Sequence, residues 1–217
     1  MRPHQPYPPV FDDRHAAGVA LAEALTDEDL TGALVVGLAR GGVEVAAIVA
    51  RAHGLRLDAL AVRKVGHPWH PEFALGAVTP DGTVYLRDSD GLDDDAIAAV
   101  ISSAQQRALL LDERLHAGGP ALDPAGVTCV LVDDGLATGA TMIAAARWAR
   151  RAKASRTIAA VPVASLEGVQ MLEAEVDRVV CPVAVHDFGA VSIWYRAFGQ
   201  VDDERVIELL ASPARGA

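Results

Sequence analysis

Short apolar runs alternate along the chain with longer stretches in which apolar residues recur every three or four positions. The runs are rich in β-branched residues and too short for helices, which predicts buried strands, whereas the periodic stretches predict helices with one apolar face. The predicted strands are residues 33–38, 57–62, 127–132, 157–163 and 176–181. The predicted helices are residues 13–26, 43–53, 93–116, 144–151, 166–175 and 202–210. This succession is typical of an α/β protein with a parallel sheet and right-handed crossovers.

One segment departs from this alternation, between the second and third predicted strands. The letters GHPWHPE at residues 66–72 interrupt any regular pattern, and residues 73–79 and 83–87 follow as two short strands around Pro80-Asp81-Gly82. Proline and glycine at such a turn favour a reversal of the chain. We therefore expect residues 64–87 to form a β-hairpin or flap.

The most informative stretch is VTCVLVDDGLATGAT, residues 127–141. Its apolar part predicts a buried strand that ends at Asp133 and Asp134, and we expect these acids to face a ligand because two adjacent carboxylates are costly to bury unpaired. The small residues after them lead into the predicted helix at 144–151, where free N–H groups and the helix dipole favour an anion. Carboxylates that accept hydrogen bonds from hydroxyl groups, beside a phosphate cup, predict a ribose 5-phosphate site. The alternative is an acidic strand end followed by an ordinary helix cap.

This stretch closely resembles the phosphoribosyl pyrophosphate (PRPP) signature of type I phosphoribosyltransferases. The letters GLARGGV, RKVGHPWHPEFALGAV and DDGLATGAT together are similar to a bacterial group of predicted phosphoribosyltransferases. The resemblance implies that Asp133 and Asp134 hold the ribose hydroxyls and that residues 137–141 enclose the 5-phosphate. It also implies Mg²⁺ as cofactor, bound mostly through PRPP and water, with the two aspartates as its protein ligands.

A second candidate anion loop lies at residues 39–42. Two glycines at a strand-to-helix turn permit close backbone approach, and Arg40 adds a fixed positive charge. Taken alone, this is also a tight strand-to-helix turn, and Arg63-Lys64 is equally a solvated strand end. The resemblance implies that these basic residues bind the pyrophosphate of PRPP. The PRPP-binding residues that it implies are Arg40, Gly41, Gly42, Arg63, Lys64, Asp133, Asp134, Gly135, Ala137, Thr138, Gly139, Ala140 and Thr141.

Aromatic residues concentrate in the tail that begins at residue 183, where Phe188, Trp194 and Tyr195 stand on segments without a regular pattern. In the resembled family a variable hood covers the nucleobase. The resemblance therefore implies that residues 183–217 form the hood with a C-terminal helix and that these three rings stack on a base. An equally open alternative is that the rings anchor the tail to the body of the protein or to another subunit.

The family's fold implies a single domain over residues 1–217. Its open parallel sheet would have the core order 3-2-1-4-5, with flanking helices and a flap that closes over PRPP. The strands at 33–38 and 127–132 should be neighbours, because ligands bind where the strand order of an open sheet reverses. The implied reaction is displacement of pyrophosphate from ribose C1 by a nitrogenous base or amine. The catalytic residues would be Arg40, Lys64, Asp133 and Asp134, with Glu72 as a candidate general base.

Composition and charge limit which partners and which cellular location we expect. A net charge of −10 and a pI near 5.1 argue against nucleic acid, and no apolar run approaches the length of a membrane span. Cys129 and Cys181 lack metal-binding spacing, which favours reduced thiols in a cytoplasmic protein. The proline-rich residues 1–9 predict a loose tail. We expect PRPP and a small nitrogenous acceptor as partners. The sequence leaves the oligomeric state open, with a homodimer as one possibility because domains of the resembled family often form dimers.

Two other functions fit the same residues. One is a non-catalytic regulatory protein that binds PRPP or a nucleotide, which predicts tight binding without turnover. The other, more remote, is a hydrolase of a phosphorylated sugar, which would consume its substrate without an acceptor.

Overall fold

The computed structural model describes residues 8–70, 74–87, 91–117, 119–121 and 123–212. Its strands are β1 (Leu34–Leu38), β2 (Arg56–Leu60), β3 (Arg63–Gly66), β4 (Ala74–Val78), β5 (Val84–Leu86), β6 (Thr128–Val132), β7 (Arg156–Ala160), β8 (Val163–Ser165), β9 (Arg178–Val180) and β10 (Val183–Val185). Its helices are α1 (Arg14–Ala24), α2 (Gly41–His53), α3 (Asp94–Leu115), α4 (Ala140–Arg151), α5 (Leu166–Glu173) and α6 (Asp203–Ala211), with a 3₁₀ helix at Val191–Trp194. None of the helices in this part of the chain is long and apolar enough to cross a membrane.

Five of the strands form a parallel sheet in the order β2-β1-β6-β7-β9. This confirms the predicted α/β class and the predicted pairing of β1 with β6 at the point where the strand order reverses. The predicted order 3-2-1-4-5 is wrong in one respect, because no strand of the described chain lies beyond β2 in this sheet. Counted along the chain, the five strands read 2-1-3-4-5.

Helices cover both faces of the parallel sheet. Successive side chains of a strand point to opposite faces, and here both sets are apolar, so both faces have to be covered. On one face Val35 and Val130 pack against α1 and α2. On the other face Val36 and Leu131 pack against α4. Since both faces of β1 and β6 are covered, the carboxyl ends of these strands are where a ligand can reach the sheet.

The segment after β2 forms a separate antiparallel sheet of β3, β4 and β5. The predicted hairpin is present as β4 and β5, although residue 73, its predicted first residue, lies outside the described residues. Val65, Leu75 and Val78 of this sheet pack with Ala104 of α3 in a small apolar cluster. Ala77 of β4 belongs instead to the main core beside α4, so this sheet packs against both α3 and α4. Closure of residues 64–87 over a ligand stays a prediction.

Candidate functional site

A cavity of about 180 Å³ lies at the carboxyl end of β6, where the strand order reverses. We call it the carboxylate cavity. It is lined by Lys64, Asp133, Asp134, Gly135, Leu136, Ala137, Thr138, Gly139, Thr141 and Val191. It therefore brings together Lys64 and most of the loop that the sequence predicted to bind PRPP.

The two aspartates stand at the edge of the protein interior. Strand β6 is buried through Val132, and its pairing with β7 continues for one more residue, since the Asp133 N–H donates to the carbonyl of Ala160 at 3.4 Å. The N–H of Asp134 then donates to Asp133 Oδ1 at 2.9 Å. This bond fixes the first carboxylate and turns the chain out of the sheet. Both residues are half-buried, and both line the cavity.

Arg14 neutralises one of these acids, a role that the sequence analysis missed. Its Nε donates to Asp134 Oδ2 at 2.8 Å, and its Nη1 donates to the carbonyl of Gly199 at 2.8 Å. The guanidinium also lies over the ring of Phe198, 3.9 Å from its centroid. Arg14 is itself buried at the start of α1. The helix that the sequence predicted only to pack thus supplies the counter-ion of Asp134.

The carboxylates remain under-neutralised despite this ion pair. Burial raises the pKa of Asp133 well above its ordinary value, and the neighbouring Asp134 raises it further, while Lys64 and Arg14 oppose the shift. Burial also raises the pKa of Asp134, against the effect of Arg14. Two acids share one close guanidinium here, so a cation or a set of hydroxyl donors would stabilise their charged forms.

The loop after the acids ends in an uncapped helix start. Gly139 has φ of +76°, which L side chains rarely adopt, and no side chain caps α4. The first N–H groups of the helix therefore have no side-chain acceptor, and Gly139 and Thr141 at this helix start line the cavity. The loop is also held against β8, because Ser165 Oγ donates to the Ala137 carbonyl at 2.6 Å. A helix start of this kind, beside the two carboxylates, is chemically suited to accept an anion.

The turn between β1 and α2 lies in close contact with the same two aspartates. A Cβ at Gly41 would collide with the carboxylate of Asp134, and one at Gly42 would lie 2.6 Å from the carbonyl oxygen of Val132. The turn also contains a cis peptide bond between Ala39 and Arg40. Both glycines are thus required by close approach, and the start of α2 borders the carboxylate cavity.

Two of the three basic residues predicted to bind pyrophosphate point elsewhere. Arg40 and Arg63 line a second cavity, of about 510 Å³, which shares no lining residue with the carboxylate cavity. We call it the arginine pocket. Its lining residues are Arg40, Arg63, Arg107, Leu110, Leu111, Arg114 and Asp203. Successive residues of a strand face opposite sides, which separates Arg63 from Lys64 on β3.

The predicted base-stacking rings are buried, which corrects that part of the interpretation. Phe188, Trp194 and Tyr195 are only 4%, 2% and 4% exposed, and they pack together with Phe11. The Trp194 Nε1–H donates to the Phe188 carbonyl at 3.0 Å, and the Tyr195 hydroxyl donates to the carbonyl of Asp134. With their faces covered by protein, these rings anchor the tail to the body, as the alternative held. Their contact with the site is the support that Tyr195 gives to Asp134.

The tail reaches the cavity through a residue that the sequence analysis did not single out. Val191 lines the carboxylate cavity, and a Cβ at Gly135 would lie 2.6 Å from its Cγ1. The sequence could have indicated this residue, because it lies between the aromatic residues of the tail. Glu72, the candidate general base, lies outside the described residues.

An open parallel sheet that carries two aspartates and a glycine-containing helix start at its switch point is typical of the type I phosphoribosyltransferases. The profile of the family described as "Phosphoribosyl transferase domain" matches residues 14–193. The chain belongs to this family.

Two curated proteins of Mycobacterium tuberculosis are similar over most of the chain. They are named "Putative phosphoribosyl transferase Rv0571c" and "Putative phosphoribosyl transferase MT0597", and each is 38% identical over 206 residues. The match covers 93% of this chain and 46% of each relative. The chain thus spans about half the length of these relatives.

Solved structures agree with the fold. The crystal structure of TT1426 from Thermus thermophilus has a TM-score of 0.79 and 42% identity, over 92% of this chain and 97% of that one. The AQ2163 protein from Aquifex aeolicus has a TM-score of 0.50 and 14% identity, over 81% of this chain and 76% of that one. The second likeness concerns the fold alone.

Proposed function

We propose that the protein transfers a 5-phosphoribosyl group from PRPP to a nitrogenous base or amine and releases pyrophosphate. The observation that carries the proposal is the shared cavity of Asp133, Asp134 and the uncapped start of α4. Hydroxyl-accepting carboxylates and a phosphate cup at the same small cavity match the two ends of a ribose 5-phosphate. Family membership supports the same reaction class.

In this proposal the 5-phosphate occupies the loop at residues 137–141. Its oxygens accept hydrogen bonds from the first N–H groups of α4, with Thr138 and Thr141 as additional donors. The ribose hydroxyls donate to Asp133 and Asp134. Arg14 and the Asp133–Asp134 backbone bond hold these carboxylates in place before the substrate arrives, which lowers the cost of binding.

The pyrophosphate group lies towards Lys64 and the start of α2. Lys64 lines the cavity, and its charge already acts on Asp133. At α2 the free N–H groups of the first turn provide further donors, since Gly41 and Gly42 border the acids. As the bond between ribose C1 and the pyrophosphate oxygen breaks, negative charge grows on the leaving group, and these donors stabilise it. The electron pair of the acceptor nitrogen forms the new bond to C1.

The donor set also fits Mg²⁺. Asp133 and Asp134 offer hard carboxylate oxygens of the kind that Mg²⁺ prefers. Burial raises the pKa of both acids, so a cation beside them would stabilise their charged forms. Asp134 Oδ2 is taken by Arg14 and Asp133 Oδ1 by a backbone N–H, which leaves one oxygen of each carboxylate to hold the ion. Bound there, Mg²⁺ would neutralise charge on the phosphate groups.

The remaining features of the proposal concern the surroundings of the reaction. Residues 64–87 would close over PRPP and exclude water, which protects a reactive ribosyl centre from hydrolysis. We keep Glu72 as the candidate base. Cys129 and Cys181 are free thiols, in keeping with the proposed cytoplasmic location. A homodimer stays a prediction.

The test is a titration with PRPP and Mg²⁺, followed by incubation with a panel of purines, pyrimidines and small amines. We expect PRPP binding, and release of pyrophosphate with at least one acceptor. Binding without release across the whole panel would favour the regulatory alternative, and release without an acceptor would favour the hydrolase. No binding of PRPP at all would contradict the proposed function.

A further inference from the structure

The arginine pocket carries more positive charge than its own residues neutralise. Four guanidinium groups line it, and Asp203 is the one carboxylate in the lining. The carboxylate oxygens of Asp203 lie 3.5 Å from Arg40 Nη1 and 3.2 Å from Arg114 Nη1. Glu204, at the rim, pairs with Arg114. A local positive surplus is unexpected in a chain with a net charge of −10 and indicates a specific anionic ligand.

Two of the four arginines have no carboxylate partner among the described residues. Arg107 donates to Ser103 Oγ at 2.8 Å, a neutral partner. Arg63 is half-buried, and burial together with the like charges of Arg40 and Arg107 lowers its pKa, against the opposing effect of Asp203. Guanidinium groups prefer two-pronged hydrogen bonds to phosphate or carboxylate oxygens. An anion in the pocket would supply the acceptors that Arg63 and Arg107 lack.

The size and shape of the pocket favour a ligand larger than one phosphate. Its volume is about 510 Å³, and its arginines come from three separate places in the fold: the β1–α2 turn, β3 and α3. Leu110 lies beside them on α3 and is 68% exposed. An apolar side chain next to a phosphate-binding cluster can receive the flat face of a base.

We propose that the arginine pocket binds the polyphosphate group of a nucleoside triphosphate, with the base against Leu110, while PRPP occupies the carboxylate cavity. The two cavities have no lining residue in common. They are joined by the β1–α2 turn, because Arg40 lies in the arginine pocket and its neighbour Gly41 touches Asp134. A ligand that draws Arg40 away from Asp203 would therefore alter PRPP binding. This coupling rests on the proposed function, whereas the second site does not.

The first experiment is calorimetric titration with inorganic tripolyphosphate. The test variant is Arg107→Gln with Arg114→Gln, and the control pairs Arg178→Gln with Arg196→Gln, two exposed arginines elsewhere. We expect the test variant to lose at least tenfold in affinity and the control to stay within twofold of the wild type. Equal affinity of the test variant and the wild type would overturn the site. Because all four substituted arginines are exposed, the variants should melt like the wild type.

Two further arms identify the ligand and separate the two cavities. ATP should bind at least threefold more tightly than tripolyphosphate, and Leu110→Ser should remove this advantage; equal affinities in the wild type would overturn the nucleoside assignment. With PRPP at saturation, tripolyphosphate should still bind, whereas complete competition would overturn a separate site. If the wild type does not bind PRPP, the proposed function fails, and the arginine variants still decide the second site.

Discussion

Two groups of aspartates in the described part of the chain differ in how far the protein neutralises them: the buried Asp58 and the half-buried pair Asp133 and Asp134. Asp58 on β2 is 6% exposed and lies 2.8 Å from His116 Nε2, while His116 Nδ1 lies 2.9 Å from the carbonyl of Asp112. Hydrogen bonds to Asp112 and Asp58 raise the pKa of His116 to about 10. At the carboxylate cavity, Asp133 and Asp134 share Arg14, and both pKa values are raised.

The difference separates a structural cluster from the proposed binding site. Around His116, a cation and its acceptors come from the chain itself, so these buried charges are compensated without a ligand. At the cavity, the fold holds two acids close together and supplies less positive charge than they require. Such a deficit costs stability, and it is expected where a ligand completes the site.

The largest expected effect on stability comes from His116→Gln. This change leaves the buried Asp58 without its cationic partner, and we expect a loss of about 3 kcal/mol in the free energy of unfolding. Urea denaturation measures it, with the exposed His15→Gln as control, expected within about 0.5 kcal/mol of the wild type. The affinity for PRPP should be unchanged. If both variants unfolded at the same urea concentration as the wild type, the structural role assigned to His116 would be wrong.

The next effect is on ligand binding. Asp134→Asn exchanges a charged acceptor of the ribose hydroxyls for a neutral one, and we expect the Kd for PRPP to rise about 10- to 100-fold. Calorimetry with Mg²⁺ measures it, and the exposed Asp187→Asn serves as the matched control. Stability should fall by about 1–2 kcal/mol, because the buried Arg14 loses its charged partner, although the variant also removes a desolvated charge. If both variants bound PRPP equally well, the ribose assignment would be wrong.

The pH dependence of stability provides a third comparison. Folded His116 keeps its proton up to about pH 10, whereas the unfolded chain releases it near pH 6.5. The stabilisation is therefore complete below about pH 6.5 and is lost as the pH rises through 10. After allowance for solvent screening, we expect the wild type to lose about 1–2 kcal/mol over this range. His116→Gln should lack this decline; an identical decline in both proteins would assign it to other groups.

The smallest effect has the opposite sign. Asp133→Asn removes a carboxylate whose pKa is raised by burial and by Asp134, while its amide oxygen can still accept the N–H of Asp134. We expect the variant to be more stable by about 0.5–1 kcal/mol at neutral pH and to bind PRPP more weakly. Thermal melting and calorimetry measure the two changes. A lower melting temperature would show that Asp133 is structural, like Asp58.

The sequence predicted the parts of the site that are close together in the chain. The apolar run before Asp133, the two acids and the small residues before α4 belong to one strand-to-helix unit, and their order alone placed these groups at one cavity. The neighbouring position of β1 and β6 followed from the switch-point rule for open sheets. These features depend on the local order of residues and on a general rule of sheet topology, and both can be applied to a sequence without its structure.

The features that the sequence did not predict depend on distant contacts. Arg14 and Asp134 are 120 positions apart, and no local pattern pairs them. Burial of Trp194 depends on packing against Phe11, at the other end of the chain. The separation of Arg63 from Lys64 could have been predicted, because alternation along a strand places neighbours on opposite faces.

The most direct test is a crystal structure of the protein with Mg²⁺ and PRPP. The expected result is the 5-phosphate at residues 137–141, the ribose hydroxyls within hydrogen-bond distance of Asp133 and Asp134, and the pyrophosphate near Lys64. Pyrophosphate in the arginine pocket, with the ribose still at the acids, would contradict only the second site. PRPP bound away from both aspartates would contradict the central claim that this pair recognises the ribose.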